Sequence, residues 1–519
     1  MCGIYFCYCF DDGRYLEPDR FGHSLTHRGP DAFSMYSDGR VCLKFYRLAV
    51  MDKTATGMQP KHHQGIWSMV NGEFWNYQSL AKQFNIPLEG CCDSQILLPL
   101  YEKNKLDQLD GEYVYLIYDS NTNHLHLGTD LLSSRPLFID CSDTRIEIAS
   151  EIKELQSGLD IVRLPSNIQC SLDLNKNVHD QLHGLVSGWK NKIIPVKDIN
   201  FEYACEQIKN MLVQSVKQRS TSSRQMGFLL SGGLDSSTVA CIYRYLYPDQ
   251  EMHTFTFGIK TNNQTELPPD IIAARQIAKH IGSVHHEYLF TCIQAWNNIG
   301  NVIYHLESYD QTTVRASVPM YLGVQRIKDE FPDMAVLFSG EVADELFAGY
   351  LYNHFAPDAA SIKQECYRRL SDIHHFDGLR VDRITASAGF EVRLPFNNKQ
   401  LINFVLGLPD QFLQTNPIEK YMLRRAVSDF VPESICWRQK DALSDASSHK
   451  SGWKSFIQDQ VFKLPGIITE DEYYKNIYSA WGFGVKHTVP YKWLPKWVDC
   501  SDSSADYLKQ QVLDKQNQS

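Results

Sequence analysis

Two short stretches of this chain hold residue types that can do chemistry. The first is its start, MCGI. Removal of Met1, which a small second residue favours in cells, would leave Cys2 with a free α-amino group beside its thiol. Such an amine has an unperturbed pKa of about 7.7–8.0. It can take the thiol proton near neutral pH and later return a proton to a leaving amine. The second stretch is SGGLDSS at 231–237, directly after the apolar run MGFLL at 226–230. Its glycines let backbone N–H groups approach a pyrophosphate, and the start of the following helix adds favourable partial charge. Ser231, Ser236 and Ser237 can donate hydrogen bonds, and Asp235 offers an oxygen ligand of the kind Mg²⁺ prefers. The lysine of a GxxxxGK[ST] loop is missing.

The N-terminal cysteine does not stand alone. HRGPD at 27–31, RLAVMD at 47–52, NGEFWN at 71–76 and Asp93 follow in order. Together with MCGI they resemble the class II glutamine amidotransferases over about residues 2–190. That resemblance implies an α+β N-terminal-nucleophile hydrolase domain of layered antiparallel sheets with helices, at residues 1–195. It makes Cys2 the nucleophile. Asn71 and the backbone N–H of Gly72 would stabilise the tetrahedral oxyanion. Arg47 would grip the glutamine carboxylate in a fork, and Glu73 and Asp93 would receive its ammonium, with Asn71 also in the glutamine pocket. The chain departs from the pattern at TDLLSSRPLF (129–138), where Thr129 stands for an arginine and Ser133 for a glycine. Gln95 replaces a common glutamate. The changed loop reads as structural, or as touching the interface between domains.

The loop at 231–237 resembles the pyrophosphatase-type loop (PP-loop) of enzymes that adenylate a carboxylate and release pyrophosphate. Further motifs accompany it: HHE at 285–287, IYHLESYDQTTVRASVPMYL at 303–322, SGEVADELFAGY at 339–350, GFEVRLPF at 389–396, IEKYMLRR at 418–425 and WRQKDALSDA at 437–446. The series resembles the asparagine synthetases. It implies an α/β parallel-sheet adenylating domain at residues 200–519, acting on ATP, aspartate and glutamine-derived ammonia. Leu230, Ser231, Gly232, Gly233, Asp235, Ser236, Ser237, Ser339 and Gly340 would bind ATP. Asp235 and Asp344 would share Mg²⁺. Glu341 would serve as base at the acyl-adenylate, and Lys440 would neutralise charge on the phosphate. Arg315 is a candidate contact for a substrate carboxylate or phosphate, or else one half of a structural ion pair. Val342 and Ala343 replace the family's glycine and serine; a β-branched residue does not adopt φ > 0 cheaply, so the loop must differ or carry strain. Asn398 stands for an aspartate. An amidotransferase acting on a larger acceptor, and a pseudoenzyme scaffold, remain as alternatives. The resemblance further implies an internal passage for ammonia, whose lining no spacing reveals.

The elements that must position these groups are legible in outline. The runs at 41–51, 65–74 and 113–119 are rich in β-formers and read as strands, and so does the apolar start, which no basic segment precedes. Residues 187–200 read as a connector. A helix over 202–218, strands at 226–230, 253–258, 285–290 and 335–340, and helices from 234 and over 270–281 alternate as a covered parallel sheet requires. Residues 360–460 read as helix-rich, and the polar tail after Ser501 as fraying. The 519 residues are 43% hydrophobic and 22% charged, with a net charge of −10, which suits a globular protein and argues against a nucleic-acid surface. No apolar run is long enough to span a bilayer. The 14 cysteines are scattered without zinc spacing, as reduced cytoplasmic thiols are. The expected partners are therefore small molecules, with neither nucleic acid nor membrane; the resemblance allows a homodimer, for which no interface is legible.

Overall fold

The structure, a computed structural model, describes residues 1–11, 25–155, 161–185, 193–260, 267–414, 418–439, 452–467, 469–483, 489–499 and 508. The expectations for Lys440, for the end of the WRQKDALSDA motif and for the tail beyond Ser501, apart from residue 508, lie outside these residues.

The N-terminal half holds two antiparallel sheets. The first orders its strands Ile161–Arg163, Phe138–Cys141, Arg145–Ala149, Gly3–Cys9, Val41–Arg47 and Ala32–Ser37. The second runs Gln169–Asp173, His124–Thr129, Gly111–Asp119, Ile66–Phe74 and Lys61–His63. Strand alternation explains how they stack. Ile4, Phe6 and Tyr8 of the first sheet meet Val114, Leu116 and Tyr118 of the second in one core. The intervening Tyr113, Tyr115 and Ile117 point the other way, onto Tyr77, Leu80, Ile96 and Leu97 of the covering helices. Tyr5, Cys7 and Cys9, on the opposite face of the first strand, join a core that continues into the C-terminal half. Both faces of Gly3–Cys9 are thus covered, which is why the chain start is apolar without alternation.

The C-terminal half is built on a five-stranded sheet in the order Val284–Thr291, His253–Lys260, Gln225–Leu229, Met334–Phe338 and Glu391–Arg393, with every pairing parallel. The helix Phe201–Arg219 leads into it. Asn200 caps that helix by accepting from the Tyr203 N–H at 2.8 Å, and Ala204, Ile208, Leu212 and Val216 form its buried stripe at helical spacing.

A buried ionic network joins the two halves. Arg28, fully buried, donates to Glu151 at 2.8 Å and to Asp382 at 3.0 Å. Arg383 pairs with Glu151 and Glu307, both at 2.8 Å. Arg219, the last residue of the entry helix, reaches Glu112 at 2.7 Å, and Arg135 reaches the same carboxylate at 3.1 Å. Arg135 also donates to the Val392 carbonyl at 2.7 Å, so the altered loop at 129–138 does touch the interface. Thr129 holds that loop down, donating to the Pro165 carbonyl at 2.7 Å.

Breaking one partner of such a network leaves a charge unpaired in the interior. Asp382→Ala is expected to destabilise the protein by about 3–5 kcal/mol. Urea unfolding followed by tryptophan fluorescence measures this, and a loss within the roughly 1 kcal/mol of a surface pair would contradict it.

Candidate functional site

The first group of residues gathers where the two antiparallel sheets meet the C-terminal half. Cys2 precedes the first strand, and its thiol lies 3.5 Å from the Leu48 N–H, which donates to it. Burial pushes the Cys2 thiol up, so it needs a base to ionise. The Arg28 guanidinium fixes the Cys2 carbonyl at 3.0 Å. With Met1 present, its amine is wholly buried, donates to the Phe390 carbonyl at 3.3 Å, and is lowered by that burial to about 5.

Asn71 and Gly72 lie in mid-strand. Asn71 is fully buried, and neither its amide nitrogen nor its oxygen has a hydrogen-bond partner among the described residues. Such a group costs about 1–3 kcal/mol to leave unsatisfied, and a donor held at that cost suits a transient oxyanion. Gly72 sits at φ +118°, and a Cβ there would lie 1.9 Å from the Glu112 carbonyl oxygen; only glycine fits. Arg47 is buried and anchored on two backbone carbonyls, those of Thr54 at 2.6 Å and of Asp52. Asp93 accepts the Phe74 N–H at 2.7 Å. Burial raises both Asp93 and Glu73, and the nearness of the two carboxyls raises Glu73 further. Gln95 braces the preceding loop through the Glu89 N–H at 2.9 Å and the Glu89 carbonyl at 2.7 Å; its amide does by hydrogen bonding what no charge is needed for.

The second group lines a deep pocket at the C-terminal ends of the parallel strands, where ligands bind in open α/β sheets. Leu230, Ser231, Gly232, Gly233, Asp235, Ser236, Ser339, Gly340, Glu341 and Asp344 all line it. Ser237 stands one residue behind, fully buried, with its hydroxyl unpartnered among the described residues. The phosphate loop holds its own shape: Ser231 and Ser236 hydroxyls lie 3.1 Å apart, and the Gly233 N–H donates to Ser231 at 3.3 Å. Gly340 presses on it so closely that a Cβ would lie 2.6 Å from the Ser236 nitrogen. Asp235 and Asp344, far apart in sequence, converge on one cation, the Lys420 ammonium, which contacts both at 2.5 Å. Two hard oxygen donors facing one positive charge fit Mg²⁺, whose remaining ligands are normally phosphate oxygens and water. Glu341 is held by Arg380 at 2.8 Å; burial raises its carboxyl against that attraction.

Three expectations meet the geometry here. Arg315 forms the ion pair: its side chain is 1% exposed and forks onto Glu470, with Nε at 2.7 Å from the carboxylate. It is a structural ion pair tying the helix Gln311–Glu330 to Glu470–Ala480. Val342 keeps the glycine-like backbone, at φ +82°, and so does Ser133, at +48°. Asn398 replaces the expected aspartate without loss, capping the helix Lys399–Gly407 through the Leu401 N–H at 2.9 Å.

Sequence reasoning missed Lys420, Arg380 and Glu391. Lys420 lies inside the quoted IEKYMLRR motif, so its signal was present, but pairing with two distant aspartates is a tertiary fact. Glu391 acts electrostatically on Met1, Cys2, Glu73 and Asp93 from the opposite half of the chain.

Comparison with known proteins bears on both halves. A family profile described as a glutamine amidotransferase domain matches residues 1–182. One described as asparagine synthase matches 207–360 and 354–471. The glutamine-hydrolysing asparagine synthetase of Gallus gallus is 34% identical, covering 98% of this chain and 99% of the relative. That of Homo sapiens is 34% identical over 98% of each chain. A probable asparagine synthetase of Acanthamoeba polyphaga mimivirus is 33% identical, covering 96% and 97%.

Gly340→Ala is expected to push the phosphate loop outward and weaken nucleotide binding by at least about tenfold, the loss of one charge-assisted hydrogen bond. Equilibrium dialysis with ATP measures this; unchanged affinity would show that the loop is not pinned from that side.

Proposed function

Because the chain belongs to the glutamine-hydrolysing asparagine synthetase family, we propose that its two groups of residues are the two half-sites of that enzyme. The protein is a carbon–nitrogen ligase that makes asparagine from aspartate and ATP with glutamine as nitrogen source. The assignment divides the chain into a glutaminase domain, 1–195, and a synthetase domain, 200–519. Its main support is the pocket in which the phosphate loop, Glu341 and the converging carboxylates of Asp235 and Asp344 share one cavity.

In the glutaminase half, Cys2 is the nucleophile once Met1 is gone. Its own amine takes the thiol proton, the thiolate attacks the glutamine side-chain amide, and Asn71 with the Gly72 N–H holds the oxyanion. The unpartnered Asn71 amide supports this role. Collapse expels ammonia, and water releases glutamate. Arg47 orients the substrate carboxylate, Asn71 adds to the pocket, and Glu73 and Asp93 hold the substrate ammonium.

In the synthetase half, an oxygen of the aspartate β-carboxylate attacks the α-phosphorus of ATP. Pyrophosphate leaves, an acyl-adenylate forms, and ammonia then displaces AMP. Leu230, Ser231, Gly232, Gly233, Ser236, Ser237, Ser339 and Gly340 shape the nucleotide site. Asp235 and Asp344 would hold Mg²⁺, which when bound offsets the charge of the phosphate groups. Glu341 takes the proton that attacking ammonia must lose. Lys440 is assigned the neutralisation of phosphate charge. The partners are small molecules. No described helix is long and apolar enough to cross a membrane, and the described cysteines are free thiols, which supports a reducing, cytoplasmic setting.

Cys2→Ala is expected to abolish asparagine formation from glutamine and to leave formation from added ammonia intact; loss of both would defeat the two-site reading. Chelation of divalent cations should stop pyrophosphate and asparagine together while glutamate release continues, with Mg²⁺ restoring both. Glutamate release should also show an acid limb. Asp93 is pushed up to about 6 by burial, so as pH falls through that value the carboxylate gains a proton and loses its hold on the glutamine ammonium. Below the limb set by the Cys2 amine, kcat/KM for glutamine should therefore show a second acid step near pH 6, whereas an ordinary aspartate would place that step near about 3.9.

A further inference from the structure

With Arg315 committed to Glu470, the synthetase pocket needs another cation for the acceptor's second carboxylate. Three of the cations in its wall are already engaged. Arg380 bonds Glu341 and Asp377, at 2.8 and 3.0 Å. Lys420 bridges Asp235 and Asp344. Arg424 is spent on Glu419 and on the carbonyls of Cys436 and Arg438.

Arg369 is different. It lines the same pocket, is 2% exposed, and its Nη1 has no hydrogen-bond partner among the described residues. The rest of the guanidinium is fixed. Its Nε donates to the Tyr352 hydroxyl at 2.7 Å and to Glu365 at 3.1 Å, and its Nη2 donates to the Leu494 carbonyl at 3.2 Å. The Trp493 ring lies 3.8 Å from its carbon, with the rings of Tyr350 and Tyr352 at 5.2 Å. Glu365 is shared with Arg368 at 2.6 Å, so one carboxylate faces two guanidinium groups and positive charge is left over. A planar cation, caged by aromatic rings, with one buried donor free and a charge deficit beside it, is built to receive a carboxylate.

We propose that Arg369 binds the α-carboxylate of the aspartate acceptor, and that the C-terminal segment carrying Trp493 and Leu494 positions it. The inference rests on the asparagine synthetase reading. The segment 489–499 comes from far along the chain to wall the pocket, where Trp493 also packs on Phe376 at 4.1 Å and Tyr491 on Phe376 at 5.4 Å. It makes acceptor selection depend on a segment more than a hundred residues beyond Arg369. Arg369 would distinguish aspartate from acids that share its β-carboxylate but lack the α-carboxylate.

The test is pyrophosphate release with ATP, Mg²⁺ and ammonia, using aspartate or 3-aminopropanoate, which is aspartate without its α-carboxylate. In Arg369→Gln the KM for aspartate should rise about ten- to a hundredfold, the value of a charge-assisted hydrogen bond. The KM for ATP and the release of glutamate from glutamine should not change. Preference for aspartate over 3-aminopropanoate should fall by the same factor, and Arg369→Lys should recover part of it. An unchanged aspartate KM, a rise in the ATP KM instead, or equal losses with the two acids would overturn the proposal. Should Arg369→Gln fail to fold, Trp493→Leu decides: a several-fold rise in aspartate KM at unchanged ATP KM supports the role, and no rise overturns it. Wild-type protein that makes no asparagine from glutamine would remove the underlying reading rather than this inference.

Discussion

The geometry of both half-sites depends on one buried set of charges, the carboxylates of Glu151 and Asp382 held between Arg28, Arg383 and Arg135. An apolar interface alone would tolerate sliding, because hydrophobic contact is not directional. Guanidinium–carboxylate pairs are directional, and here every member is nearly inaccessible to solvent. Arg28 makes the point concretely. One guanidinium touches the Cys2 carbonyl, the Glu151 carboxylate of the N-terminal half and the Asp382 carboxylate of the C-terminal half. The position of Cys2 is therefore referred directly to the synthetase fold. Such a network is costly in desolvation, and what it provides is a fixed registration of the two halves.

Strain is kept where burial offsets it. Val342 adopts φ +82° with a side chain 2% exposed. A non-glycine residue in that region costs on the order of 1–3 kcal/mol, and fully burying a valine side chain returns about the same, roughly 1.5–3 kcal/mol. The backbone shape demanded between the strand Met334–Phe338 and the helix Ala343–Leu346 thus survives a β-branched substitution, so Glu341 and Asp344 both stay in the pocket wall. Ser133 shows the same retention, fully buried at φ +48°. Backbone geometry at these turns is preserved while the residue that usually supplies it is not.

Much of this was legible in the sequence, for a physical reason. Covered strands read as continuous apolar runs, and a stripe at helical spacing reads as a helix, so Gly3–Cys9, Gln225–Leu229 and Phe201–Arg219 were foreseen within a few residues. The loop at 231–237 stood out because its residue types are local: glycines, serines and an aspartate within seven positions. What escaped is tertiary. Nothing near Lys420 in sequence announces Asp235, and Arg315, sitting in the most distinctive segment, gave no sign that its partner was Glu470. Arg369 lies in an ordinary amphipathic helix, and its meaning depends on a tryptophan that arrives more than a hundred residues later.

The strand Glu391–Arg393 shows how closely the sites are joined. At one end Glu391 acts on the Met1 amine, Cys2, Glu73 and Asp93. At the other, the Arg393 carbonyl accepts the Ser339 N–H at 3.1 Å, two residues before Glu341. Val336, which pairs with Glu391, is five residues from Glu341, a span of at most roughly 17 Å of extended chain. A single edge strand of the synthetase sheet therefore forms part of the electrostatic surroundings of the cysteine and the backbone brace of the phosphate pocket. Its position between them is fixed by Arg135 on the Val392 carbonyl and by Arg393 on the Thr221 carbonyl.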